Sequence, residues 1–219
     1  LHIIVIYRIM NFKTFTQKYQ RYPVIKSSYF SLEEKPAYVR RLVSEWSKKE
    51  WLIELRRGMY LINEEHILKK VERFTLANLL YEPSYVSLES ALSFHGMIPE
   101  GVPQIMSVGT RKTARFINAL GTFSYSNIKE SLLWGYTKQK LGAGTALVAT
   151  PEKAVLDLIY LRKGELKSSD EVIASLRLDN LRALNAETLL SAAKRFRNVK
   201  VLKVGEELEH ILSKKRGKR

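Results

Sequence analysis

The chain has 219 residues, enough for two small domains that each bury a hydrophobic core. Its 37 Lys and Arg against 22 Asp and Glu leave a formal charge of +15, which points to a polyanionic partner, nucleic acid or an anionic surface. The absence of cysteine excludes disulfides and Cys-based zinc sites, and it fits a cytoplasmic location.

Residues 1–9 are apolar but run to about half the length of a membrane-spanning helix. They lack the basic start and small-residue cleavage site of a signal peptide, so they read as a non-native or disordered leader ahead of Met10, with an ordered edge strand as the alternative. Phe12, Phe15, Tyr19 and Tyr22 recur at helical spacing, and Pro23 ends that run. Ser27 or Ser28 can cap a short second helix through about Glu34, and Pro36 opens a third. In that third helix Val39, Leu42, Val43 and Trp46 form one apolar stripe. Ala37, Arg41, Ser44 and Lys48 lie opposite, with Arg40 on the flank.

Leu52–Leu55 and Met59–Ile62 have strand composition, and Arg56, Arg57 and Gly58 supply a short basic tip between them. Three helices followed by a hairpin predict a winged helix-turn-helix over residues 10–65. Its third helix would enter the DNA major groove, and its hairpin would lie along the backbone. The candidate DNA-binding residues are Arg40, Arg41, Ser44, Lys48, Lys49, Arg56 and Arg57. The plainer alternative is a solvated tip whose arginines pair with Glu54 or water.

Residues 66–70 read as a linker, and 71–205 as a second domain, giving an α+β chain. Leu76, Leu79 and Leu80, then Val86, Leu88, Ala91, Leu92 and Phe94, suggest two helices, with Ser87 as a cap for the second and Gly96 as its end. Gln104–Val108 reads as a strand, Thr110–Arg115 as a basic loop, and Gly121–Tyr125, Leu132–Lys138 and Ala146–Ala149 as further strands. Thr150, Pro151 and Glu152 mark a helix start, and helices continue to about Arg197. Val199–Val204 reads as a strand, and 206–219 as a helix end and basic tail.

A search for chemistry is mostly negative. His2, His66, His95 and His210 are scattered, with no metal-ligand spacing, phosphate loop or nucleophile elbow. His95 reads as a helix C-terminal residue. Glu152 and Asp157 lie roughly 140° apart around a helix, a poor metal site. Glu152 suits a helix N-terminus, and Asp157 a polar flank or an ion pair. No catalytic residue, metal or cofactor is predicted. Arg111, Lys112 and Arg115 form a second basic site, either phosphate- or RNA-binding or simply solvated. Phe116, Phe123, Tyr125, Trp134 and Tyr136 nearby suit core packing better than base stacking.

The tract from Pro23 to Ile62, with Arg40–Leu42, Trp46–Lys49 and Leu55–Tyr60, resembles the winged-helix domain of AbiEi-type antitoxins. These belong to the AbiE abortive-infection, type IV toxin–antitoxin systems of bacteria. Tyr85–Leu92, Phe94–Pro99 and Ala149–Asp157 extend the resemblance over roughly residues 20–165. It implies an antitoxin that counteracts a nucleotidyltransferase-like toxin, without necessarily forming a stable complex. It also implies that the protein represses its own operon by binding inverted repeats in double-stranded promoter DNA. The chain departs at Glu50, where relatives often carry glycine; a left-handed helix end there costs a non-glycine residue on the order of 1 kcal/mol, unless the chain leaves the helix differently. The alternatives are a plain winged-helix regulator whose second domain senses a ligand or dimerises, and a nuclease delivered to DNA.

Overall fold

The computed structural model describes residues 10–31, 35–67, 70–99, 101–142, 144–178 and 180–216. The expected leader and the end of the basic tail lie outside them. The chain is a mixed α+β protein that divides into two compact units, Leu1–Val71 and Glu72–Arg219.

Unit 1 begins with α1 (Phe12–Tyr19), whose N-cap Asn11 accepts a hydrogen bond from the Thr14 amide at 2.9 Å. There follow a two-residue strand β1 (Ile25–Lys26), a single helical turn α2 (Ser28–Ser31) and the longer α3 (Pro36–Lys48). The sequence carries no periodic signal for β1, which exists through its antiparallel pairing with β3. The remainder of the expected second helix lies outside the described residues. Val39, Leu42, Val43 and Trp46 of α3 are all buried, as their spacing requires. Trp46 packs between Phe12 and Phe15, with ring centroids at 5.3 and 4.8 Å.

After α3 the hairpin β2 (Leu52–Arg56) and β3 (Met59–Ile62) completes a three-stranded antiparallel sheet in the order β1-β3-β2. Its register shifts between Glu54 and Arg56, and Gly58 turns the tip at φ 75°. His66, expected in the linker, instead packs edge-on against Phe12 and Trp51, so unit 1 continues past it.

The end of α3 resolves the question raised by Glu50. Its φ is 57°, the left-handed conformation, and the Trp51 amide bonds back to the Trp46 carbonyl at 2.9 Å. The exit is therefore the one glycine would make, held by a side chain that disfavours it. Asn63 pins the turn from outside, donating through Nδ2 to the Glu50 carbonyl at 2.9 Å. Replacing Glu50 by glycine is expected to stabilise unit 1 by about 1 kcal/mol. A urea midpoint that is unchanged or lower in Glu50→Gly would count against strain at this turn.

Unit 2 is built on a six-stranded mixed sheet in the order β6-β7-β5-β4-β9-β8. The strands are β4 (Ser84–Val86), β5 (Gln104–Gly109), β6 (Ala114–Asn118), β7 (Gly121–Asn127), β8 (Tyr136–Leu141) and β9 (Gly144–Ala149). Helix α4 (Arg73–Leu80) lies against the face bearing Tyr125, whose hydroxyl donates to the Ala77 carbonyl at 2.7 Å. Helices α5 (Leu88–Phe94) and α6 (Pro151–Leu161) pack on each other, followed by α7 (Ser169–Leu176), α8 (Ala186–Arg195) and α9 (Val199–Arg216). Among the described residues no helix is long and apolar enough to cross a membrane.

Several sequence expectations are corrected by the fold. Val199–Val204 is helix, because Val201, Val204, Leu208 and Leu212 continue one buried stripe at helical spacing. Helix α9 runs through residue 205 without a break, so no boundary separates 71–205 from the segment that follows. Gly205 allows α9 to approach α8: a Cβ there would stand 2.6 Å from that of Ala193. The expected strand from Leu132 starts only at Tyr136, after a short 3-10 turn over Glu130–Leu132. Arg115 belongs to edge strand β6 rather than to a loop, since Ala114–Asn118 pairs along β7.

Candidate nucleic-acid interface

Between α3 and the β2–β3 hairpin, unit 1 carries a groove of about 620 Å³. Arg40, Ser44, Ser47 and Lys48 line it from α3; Glu54, Arg57, Gly58 and Tyr60 line it from the hairpin. The α3 residues fall at intervals of four, three and one, a single helix face that borders the buried stripe. Arg40, Lys48 and Arg57 are exposed, and among the described residues none of them forms an ion pair. Three cations and one carboxylate, Glu54, thus line one cleft, and among the described residues none of the three cations is ion-paired.

The other predicted residues do not join this groove. Arg41 stands 5.2 Å from the Tyr38 ring centre and 4.0 Å from Glu45. Lys49 bonds to Glu45 at 3.0 Å and lies over Trp51, and it holds the Glu45 carboxyl below its ordinary pKa. Arg56 is half-buried, whereas its neighbour Arg57 is exposed and lines the cleft. The tip arginines therefore have different surroundings: Arg56 is the last residue of β2, and Arg57 stands in the turn beyond it. Sequence reading missed Tyr60 and the position of Glu54 within the groove. These two are cross-strand partners and so share a face, which the period of two alone could have indicated.

The second basic site is split. Arg111 stacks on Tyr81 at 4.7 Å, and the Tyr81 hydroxyl donates to the Lys112 carbonyl at 2.9 Å. Asn127 Nδ2 ties down the same turn through the Thr110 and Arg111 carbonyls at 3.0 and 2.9 Å. Arg111, Lys112 and Arg115 are all exposed, the last on the sheet edge. Phe123 and Tyr125 are buried in the core, while Phe116, Trp134 and Tyr136 are half-buried.

A buried polar cluster lies inside unit 2. Lys153 is 1% and Asp157 0% exposed, and they form an ion pair one helical turn apart on α6. Lys153 Nζ also donates to the Tyr85 hydroxyl at 2.6 Å, which donates in turn to Asp157 Oδ2 at 2.9 Å. Ser87, expected as a side-chain cap, holds the N-cap position of α5, but its hydroxyl donates to Asp157 at 2.8 Å instead. The rings of Phe196, Trp134 and Tyr85 surround the ammonium at 4.7, 5.0 and 5.3 Å. Burial pushes the Asp157 carboxyl up and the Lys153 amine down, while their mutual attraction opposes both shifts.

Asp157 is thus no surface flank. Glu152 is also buried, and it accepts a hydrogen bond from the Asn185 amide at 2.9 Å. The available signal was α6 itself: a helix apolar on every side must pair any charge it carries internally. Among the described residues no cluster of three potential ligands could hold a metal.

No family model matches the chain, and no curated protein matches it. The chain is similar in structure to the RV2827C protein from Mycobacterium tuberculosis, known from a crystal structure, with a TM-score of 0.52 over 90% of this chain and 76% of that one. At 14% identity the likeness is one of fold.

Proposed function

We propose that the protein is a bacterial type IV antitoxin of the AbiEi kind. It counteracts a nucleotidyltransferase-like toxin and represses its own operon. In this reading unit 1 is a winged helix, with α3 as the helix that enters the major groove and the β2–β3 hairpin as the wing. The observation that supports the DNA-binding half is the groove lined by Arg40, Lys48 and Arg57, which are exposed and, among the described residues, without ion-pair partners. Ser44 between them supplies a hydroxyl that can reach a base edge. The antitoxin half rests on the resemblance of the sequence alone.

The reading is of a binding protein rather than an enzyme. The Lys153–Asp157–Tyr85–Ser87 constellation is sealed in the core, each member at most 1% exposed, where no substrate reaches it. The deciding experiment compares binding to the DNA upstream of the protein's own gene with binding to scrambled DNA across a salt series. Preference for its own promoter, together with growth rescue when the adjacent toxin gene is co-expressed, is expected. Equal binding to both DNAs would reduce the charge to a general polyanion grip and sink the repressor reading.

A further inference from the structure

Among the described residues Glu54 is the single carboxylate lining the groove, set among Arg40, Lys48 and Arg57. It is exposed, and among the described residues it forms no ion pair; its hydroxyl partner is Tyr60, at 3.5 Å across the hairpin. A groove shaped only to grip phosphates gains nothing from a negative charge in its wall, because that charge repels every phosphate equally. A carboxylate is compensated at such an interface only where it accepts a hydrogen bond, and in the major groove cytosine N4 is the donor that Glu and Asp take.

We infer, on the basis of the DNA-binding reading above, that Glu54 is a specificity-determining residue. It accepts from the amino group of a cytosine in the correct site and penalises DNA that offers phosphate or a carbonyl there. The Tyr60 hydroxyl approaches the carboxylate from the neighbouring strand, at 3.5 Å. Burial, and then the Glu54 charge, keep this phenol's pKa above its ordinary value.

The test is Glu54→Gln in the full chain, which keeps the shape of the side chain and removes its charge. Wild type and variant are measured on own-promoter duplex, on scrambled duplex across a salt series, and by selection from a randomised duplex pool. Expected are about 5-fold tighter binding to scrambled DNA, a salt slope steeper by about 0.9, and loss of roughly 10-fold preference at one C·G pair. A variant that binds scrambled DNA no more tightly and keeps every base preference would overturn the role of Glu54 and leave the repressor reading intact. Tightening on both duplexes by the same factor, with unchanged base preference, would also overturn it, since Glu54 would then be a brake without selectivity. Wild type that fails to prefer its own promoter would remove the reading on which the inference stands, and the inference with it.

Discussion

Asp157→Ala is expected to destabilise unit 2 by roughly 3–5 kcal/mol, the largest single effect in the molecule. The substitution strands the Lys153 ammonium at 1% exposure, with only the Tyr85 hydroxyl and three aromatic rings around it. Lys153→Met should cost less, because Asp157 keeps the Ser87 and Tyr85 donors. The double variant Lys153→Met with Asp157→Leu should recover only part of the loss: the apolar pair has no charge to desolvate, but the buried Tyr85 and Ser87 hydroxyls lose their acceptor. Urea unfolding of the three variants measures this. An Asp157→Ala chain within about 1 kcal/mol of wild type would mean that the pair does not hold the core together.

The same cluster sets a pH dependence. Burial first, and the Asp157 charge second, raise the pKa of Tyr85 well above the ordinary phenol value. The unfolded chain therefore loses this proton near pH 10 while the folded chain keeps it. Stability from this group is complete below that pH and falls by about 1.4 kcal/mol per unit above it. Tyr85→Phe should lack that portion of the alkaline loss.

On the proposed DNA-binding reading, replacing Arg40, Lys48 and Arg57 together by alanine is expected to flatten the salt dependence of binding by a slope of about 2.7, one step for each phosphate that would lose its cation. Between 50 and 200 mM salt this corresponds to about a 40-fold smaller loss of affinity than wild type shows. All three side chains are exposed and unpaired among the described residues, so the fold should be untouched and melting unchanged. Arg41 and Lys49, already engaged with Glu45, should reduce the slope much less when removed as a pair. A slope that responds equally to both sets would show that net charge, not the groove, holds the DNA.

Much of unit 1 was legible because its signals are local. Pro36 opens α3, its stripe of Val39, Leu42, Val43 and Trp46 has the helical period, and Gly58 turns the hairpin tip. The chemistry of unit 2 was not legible in this way. Its cluster joins Tyr85 and Ser87 to α6 residues 68 to 72 positions away, and no pattern along the chain encodes such a distance. The error at Val199–Val204 has the same origin: four β-branched or aliphatic residues suit a strand locally, yet the core offered a helix-shaped face.

Apolar periodicity and capping residues were therefore sufficient to define α1, α3 and the hairpin of unit 1 and the start of α6, and composition the excess of positive charge. These follow from periodicity, capping and composition, which act within one or two turns of backbone. Tertiary packing decided which cations share a cleft, whereas the pairing of Arg41 and Lys49 with Glu45 is local, four residues to either side along α3 and its C-cap. Packing also set Glu54 and Tyr60 on the groove wall, and sealed Lys153 against Asp157. A charge is defined by what stands within a few ångströms of it, and most of those neighbours are brought there by the fold.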